Sequence, residues 1–108
     1  MSNSTTSIRV TVLPGVTRET LATGERLMVV RFTFDAGAEI PLHRHPHEQS
    51  SYVERGCLKY VVGGVEHILK PGDSLVISPD VPHQATALEE TVDINSFSPL
   101  REDYMADQ

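Results

Sequence analysis

The sequence predicts an all-β sandwich or barrel folded as one domain. Apolar and polar residues alternate with the two-residue period of strands in most of the chain. Gly, Pro and Asp interrupt those alternations at roughly eight- to twelve-residue intervals, the spacing of all-β sandwiches and barrels. No stretch carries the spacing of a convincing helix.

The elements follow in order. Met1 to Ser7 is small and polar, without the basic and apolar regions of a signal peptide, and reads as a disordered tail. The domain is expected over residues 8–108. From Arg26 to Phe34, Met28, Val30, Phe32 and Phe34 fall on one strand face, with Arg31 and Thr33 on the other. Cys57 to Val62 sets Leu58, Tyr60 and Val62 against Cys57, Lys59 and Val61. Gly63-Gly64 predicts a two-residue hairpin turn into a return strand from Val65 to Lys70. Pro71-Gly72-Asp73 turns into Ser74–Ile77, and Ser78-Pro79-Asp80-Val81-Pro82 makes a further corner. His83 to Leu88 and Thr91 to Phe97 complete the strands. Arg101 to Met105 has room for one helical turn at most.

At 108 residues the chain supports one core, burying roughly two-thirds of its unfolded surface. No run approaches the ~18 apolar residues of a membrane-spanning helix. The single cysteine, Cys57, forms no internal disulfide and reads as a small buried hydrophobe, so a cytoplasmic location is the default expectation. The net charge of −6, with scattered cations, argues against nucleic acid. A small anionic substrate needs only one or two cations, and Arg18, Arg31 and Arg101 are available.

The most informative segment is Gly37 to Gln49. His43, His45 and His47 stand two apart, and the Gln49 amide follows. On a strand, His43 and His45 project side by side, which is half of a divalent-metal site. His83 follows Pro82 forty positions on and can close the set from a neighbouring strand. A solvated polar loop is the alternative, since Pro41 and Pro46 bracket the run. His47 keeps the same parity, but Pro46 interrupts the strand before it; a place at the pocket edge or on the surface is expected. His67 shares a face with Val65 and Leu69 and reads as a packed or hydrogen-bonded histidine.

Two motifs carry a family resemblance. Gly37-x5-His43-x-His45-x3-Gln49-x6-Gly56 resembles the first cupin motif, in which glutamate usually stands at position 49. Gly72 to His83 resembles the second, which supplies a third histidine; here Ser78 replaces a usual proline, Asp80 a usual glycine, and Ala87 the frequent final asparagine. The resemblance implies a single-domain jelly-roll barrel. Gly15-Val16-Thr17-Arg18, His43-x-His45-Pro46-His47-Glu48-Gln49 and Phe97-Ser98-Pro99-Leu100-Arg101-Glu102-Asp103 extend it to the pectin-degradation cupins. Those proteins convert 4,5-unsaturated monouronates from pectin and alginate into the linear keto form. The resemblance implies one divalent transition metal (Ni, Zn, Mn, Fe or Co) on His43, His45, His83 and Gln49. A non-ligand, hydrogen-bonding Gln49 stays open.

One departure bears on activity. The family usually has an acidic residue two positions before the phenylalanine, and this chain has Asn95. An amide does not exchange a proton as a carboxylate does. Asp93 lies on the same strand face, and an inward Tyr60 offers a hydroxyl as proton donor.

Three imidazoles and an amide leave a bound cation its full double charge, which suits it to polarise an anionic sugar. From spacing alone Arg101 reads as a surface arginine paired with Glu102 or Asp103; the Phe97-Ser98-Pro99-x-Arg101 resemblance implies instead a clamp for the substrate carboxylate, which its planar fork can bind bidentately. Phe97 is expected to pack the core and to reach the barrel mouth. The first reading is therefore a metal-dependent enzyme acting on a small carboxylated sugar. The second is a cupin that binds a metal and a small acid without turnover, or senses it. An oxygen-using dioxygenase fits less well, because Gln49 replaces the usual acidic ligand. A homodimer is expected, as a small domain gains by covering a sheet face.

Overall fold

The computed structural model describes residues 8–105, so the expected tail over residues 1–7 lies outside the described residues. In chain order the strands are β1 (Arg9–Leu13), β2 (Val16–Thr23), β3 (Met28–Phe34), β4 (Glu39–His43) and β5 (Glu48–Arg55). Then follow β6 (Leu58–Val62), β7 (Val65–Leu69), β8 (Ser74–Ile77), β9 (His83–Ala87) and β10 (Thr91–Ser98). A single helical turn, α1 (Glu102–Met105), succeeds them.

The strands form a six-stranded sheet, ordered β1-β2-β3-β10-β5-β8, and a four-stranded sheet, ordered β4-β9-β6-β7. From β3 onward the chain crosses from one sheet to the other at almost every connection, the exception being the β6–β7 hairpin. Antiparallel sheets joined by such crossings make a jelly roll. The all-β jelly-roll expectation is borne out.

β3 shows why the sequence folds this way. Met28, Val30, Phe32 and Phe34 are buried, while Val29, Arg31 and Thr33 between them are half-buried. That strand lies between β2 and β10, so its apolar face meets the opposite sheet. The Gly63-Gly64 turn joins β6 to β7 with Val62 opposite Val65. Both glycines have positive φ, 56° and 83°, which a two-residue turn of this twist requires.

Several expected boundaries are corrected. Arg26 and Leu27 precede β3, Cys57 precedes β6, Lys70 follows β7, and Leu88 follows β9. β1 and β2 extend the predicted set; β2 carries the buried Arg18 on its inward face, and its register with β3 slips between Thr20 and Ala22, so its apolar alternation is broken. β7 ends its sheet, so His67 on it is exposed rather than packed. Cys57 is half-buried, not buried.

The interior is not wholly apolar. Gln49 and Ser51 on β5 and Asp93 and Asn95 on β10 point inward and are buried. Asn95 stands opposite Ser51, and Phe97 opposite Gln49. These polar groups bond to one another, as buried polar groups must.

Candidate metal centre and its cavity

His43 ends β4 and His83 begins β9, and the two are register partners across the four-stranded sheet. Their ring centroids are 4.3 Å apart. His45 reaches the same point from the loop after β4, 4.9 Å from the His83 ring and 5.5 Å from the His43 ring. This corrects the expectation that His43 and His45 share a strand face: β4 stops at His43. The loop is held instead by its backbone, since Asp80 N–H donates to the His45 carbonyl at 2.8 Å. Asp80 has φ 63°, the left-handed conformation that explains why glycine is usual there.

The hydrogen bonds fix which ring nitrogens are available. Nδ1 of His43 donates to the Pro41 carbonyl at 2.8 Å, and Nδ1 of His83 to the Val81 carbonyl at 2.9 Å. Nδ1 of His45 donates to the His47 carbonyl at 3.1 Å. Each neutral ring therefore turns an Nε2 lone pair inward, the arrangement by which backbone carbonyls orient metal-ligating histidines. One ligand atom from each ring lies within 4.8 Å of those of the other two. His83 Nε2 is buried and has no hydrogen-bond partner. His45 Nε2 faces Gln49 Oε1 at 3.0 Å, acceptor against acceptor. A proton would relieve that contact, but burial, seconded by Arg101, lowers the His45 pKa. Burial likewise takes His83 down to about 4. A divalent cation relieves both problems. Two donors each about 2.1 Å from one ion, at a right angle, stand about 3 Å apart. The donor set fits a metal.

A cavity of about 280 Å³ opens on this cluster. His43, Gln49, His83, Tyr60, Phe97 and Arg101 line it, with Phe32, Ile40, Ala85 and Tyr104 supplying much of the apolar wall. The Arg101 guanidinium sits 4.2 Å from the Tyr104 ring centroid and 5.0 Å from that of Phe97. Its Nε and Nη2 donate to the two Asp103 carboxylate oxygens at 3.1 and 2.9 Å. Burial works against the Asp103 charge, yet these bonds outweigh it and hold the carboxyl below its ordinary pKa. Phe97 both belongs to the hydrophobic core and faces the cavity.

The remaining sequence candidates divide. Tyr60 lines the cavity and donates its hydroxyl to Asp93 Oδ2 at 2.9 Å. Asp93 and Asn95 do not line it. They lie fully buried, Asn95 hydrogen-bonded to Gln49 and Asp93 to Tyr60. Burial raises the Asp93 pKa against the pull of its three donors, Ser51, Asn95 and Tyr60. His47 contributes its backbone carbonyl to His45, not a ligand. Arg18 is buried in β2 with its guanidinium 3.9 Å from the Tyr104 ring, and Arg31 pairs with Glu19 at 2.9 Å. Of the three arginines, Arg101 alone lines the cavity. Sequence reasoning missed Ser51 and Tyr104. Ser51 shares strand parity with Gln49 and was findable; Tyr104 comes three residues after Arg101, on a turn that no alternation marks.

Comparison with known proteins agrees with this geometry. The cupin domain model matches residues 30–94. KdgF from a Halomonas species is 37% identical, with 89% of each chain covered and a TM-score of 0.85. An RmlC-like cupin from Shewanella frigidimarina is also 37% identical, covering 95% of this chain and 93% of its own, with a TM-score of 0.88. The manganese-containing oxalate decarboxylase of Bacillus subtilis, at 21% identity and a TM-score of 0.78, shares the fold. No curated protein sequence matches the chain. The matched motifs, the jelly roll and the whole-chain relatives agree, and the chain belongs to the cupin family.

Proposed function

We propose that this cupin converts 4,5-unsaturated monouronates to their linear keto form. One observation carries the reading: a single cavity is lined by Gln49 and by two histidines of the three-histidine cluster, His43 and His83, together with the half-buried Arg101. The similarity to KdgF supports the choice of substrate. In this reading His43, His45, His83 and Gln49 hold one divalent ion, whose bound charge supplies Lewis-acid polarisation of a substrate oxygen.

The chain's own residues do the rest. Arg101, braced by Tyr104 and Asp103, receives the uronate carboxylate with its Nη1 and remaining Nη2 hydrogens. Phe97, Ile40 and Ala85 give the sugar ring an apolar seat that excludes water. The conversion is a net isomerisation: one proton leaves a hydroxyl as the ring opens, and one arrives on the enol carbon. Tyr60, on the cavity wall, holds a proton at its hydroxyl for the enol carbon and recovers one from the proton released as the ring opens, while Asp93 behind it orients the hydroxyl. Burial, and then the Asp93 charge, raise the Tyr60 pKa well above its ordinary value, so it acts as a neutral donor.

A second reading is a binding cupin that holds the acid without turnover. It is favoured by the cavity lining, which contains no carboxylate among the described residues. Incubation of metal-loaded protein with unsaturated galacturonate separates the two. Loss of the ultraviolet absorbance of the conjugated double bond is expected. Saturable binding with unchanged absorbance supports the binding reading, and no binding ends the uronate assignment. A homodimer belongs to the same proposal: Tyr52 and Val76, exposed on the paired strands β5 and β8, offer an apolar patch, and sedimentation tests it.

A further inference from the structure

A row of interior side chains passes hydrogen bonds from a carboxylate to the ligand cluster. Asn95 Nδ2 donates to Asp93 Oδ2 at 3.0 Å. Gln49 Nε2 donates to Asn95 Oδ1 at 2.6 Å. Gln49 Oε1 then faces His45 Nε2 at 3.0 Å. All four residues are buried.

A primary amide accepts at one end and donates at the other, so two amides in series have a direction. Asp93 sets that direction. Its oxygens already accept from Ser51 Oγ and Tyr60 Oη. Toward Asn95 it offers another lone pair, and Asn95 answers with its NH2. The Asn95 carbonyl is thereby turned to position 49, where it demands a donor. Glutamine meets the demand, and in doing so aims its own oxygen at the imidazoles. A flipped Gln49 would press carbonyl on carbonyl. A glutamate at 49, the usual residue of the first cupin motif, would set an ionised oxygen against Asn95 Oδ1. The Asp93–Asn95 pair is thus matched to an amide at 49.

We propose that Asn95 is a positioning residue: held by Asp93, it locks Gln49 with Oε1 toward His43, His45 and His83 and so completes a four-donor metal centre. The inference rests on the metal-centre reading of the histidines, and on no catalytic role for Asn95. The residue where the family usually carries an acid serves here to orient a ligand.

Cobalt(II) added to the metal-free full-length protein tests it, since its visible bands report the ligand set and titration gives affinity. Gln49→Ala provides the three-histidine reference. Asn95→Leu keeps most of the volume but removes the side-chain hydrogen bonds to Asp93 and Gln49. It is expected to weaken cobalt binding by about 10–100-fold, the usual effect of losing a ligand's partner, and to shift the bands to those of Gln49→Ala. Asn95→Asp keeps an acceptor for Gln49 Nε2 and is expected to keep the wild-type bands. A packing role alone would lower the melting temperature of Asn95→Leu while leaving its bands unchanged, and that result overturns the proposal. So do identical bands for wild type and Gln49→Ala. If Asn95→Leu does not fold, the wild type decides: the Gln49 side-chain NH2 protons, assigned by their absence in Gln49→Ala, should exchange with solvent far more slowly than an exposed glutamine's. Fast exchange overturns the proposal. Wild-type protein that takes up no cobalt ends the metal reading as well; uptake with an unaltered Asn95→Leu ends only this inference.

Discussion

The Tyr60 hydroxyl donates to Asp93 Oδ2 across 2.9 Å, linking a residue on the cavity wall to a carboxylate sealed from it. Phenylalanine at position 60 would keep the wall and cut the link. Tyr60→Phe is expected to cost about 1–2 kcal/mol in urea unfolding, because Asp93 loses one of its donors while remaining buried. As the proposed proton donor, its loss should also lower kcat on unsaturated uronate by about 10²–10⁴-fold, with little change in KM. An unchanged kcat would restrict Tyr60 to a structural role.

Acid should destabilise the metal-free protein through its histidines. His83 has its pKa lowered from 6.5 to about 4 by burial, and His45 is lowered in the same direction. The unfolded chain therefore takes protons first as pH falls. The histidine contribution is present above about pH 6.5 and is lost as pH falls toward 4, by roughly 2–3 kcal/mol for His83. Asp93, whose raised pKa disfavours its charged form, runs the other way. Denaturant unfolding of wild type and His83→Gln at pH 7 and pH 4.5 isolates the His83 part, since the variant should show a weaker acid dependence. Saturating cobalt should steepen the wild-type dependence, because protons compete for the same nitrogens.

Arg101→Lys should raise KM for the uronate by about 10–100-fold, since an ammonium does not reproduce a two-point, charge-assisted clamp. The stacking against Tyr104 and Phe97 is weakened too. Asp103→Asn removes half of the ion pair that braces the fork and should loosen it, giving a smaller rise. Steady-state kinetics on both variants checks the order. A lower KM for Asp103→Asn would mean that Asp103 competes with substrate for Arg101.

Gly56 closes the first motif for a steric reason. A Cβ there would lie 2.2 Å from the Glu90 carbonyl oxygen and 2.4 Å from Thr91 Oγ1, at a φ of +97°. Backbone does not yield to such a contact. Gly56→Ala should cost about 3 kcal/mol or more. Thermal unfolding should show a fall of more than about 12 °C for a domain of this size.

Where burial and alternation coincide, the sequence was readable. β3 and the β6–β7 hairpin show it: each apolar residue on the inward parity of β3 is buried, and the glycine pair turns where expected. β5 was less readable because its inward positions include Gln49 and Ser51, so its polar interior mimics a surface pattern. β2 was hidden by a register slip.

The candidate site divides along the same line. Identity and spacing of His43, His45, Gln49, His83, Phe97 and Arg101 are properties of the chain, and their residue chemistry names three imidazoles and an amide beside an aromatic ring and a guanidinium. Which atoms converge is a tertiary matter. The loop bearing His45 is aimed by an Asp80 hydrogen bond from a distant corner, so strand parity had no hold on it. Asp93 and Asn95 share a face with Phe97, yet only the crossing of β5 and β6 against β10 sets Gln49 and Tyr60 between those two residues and the cavity. Alternation tells which side of a strand a residue takes. How deep that side lies, and which dipole it meets there, depends on strands far apart in sequence and was decided only when the sheets closed.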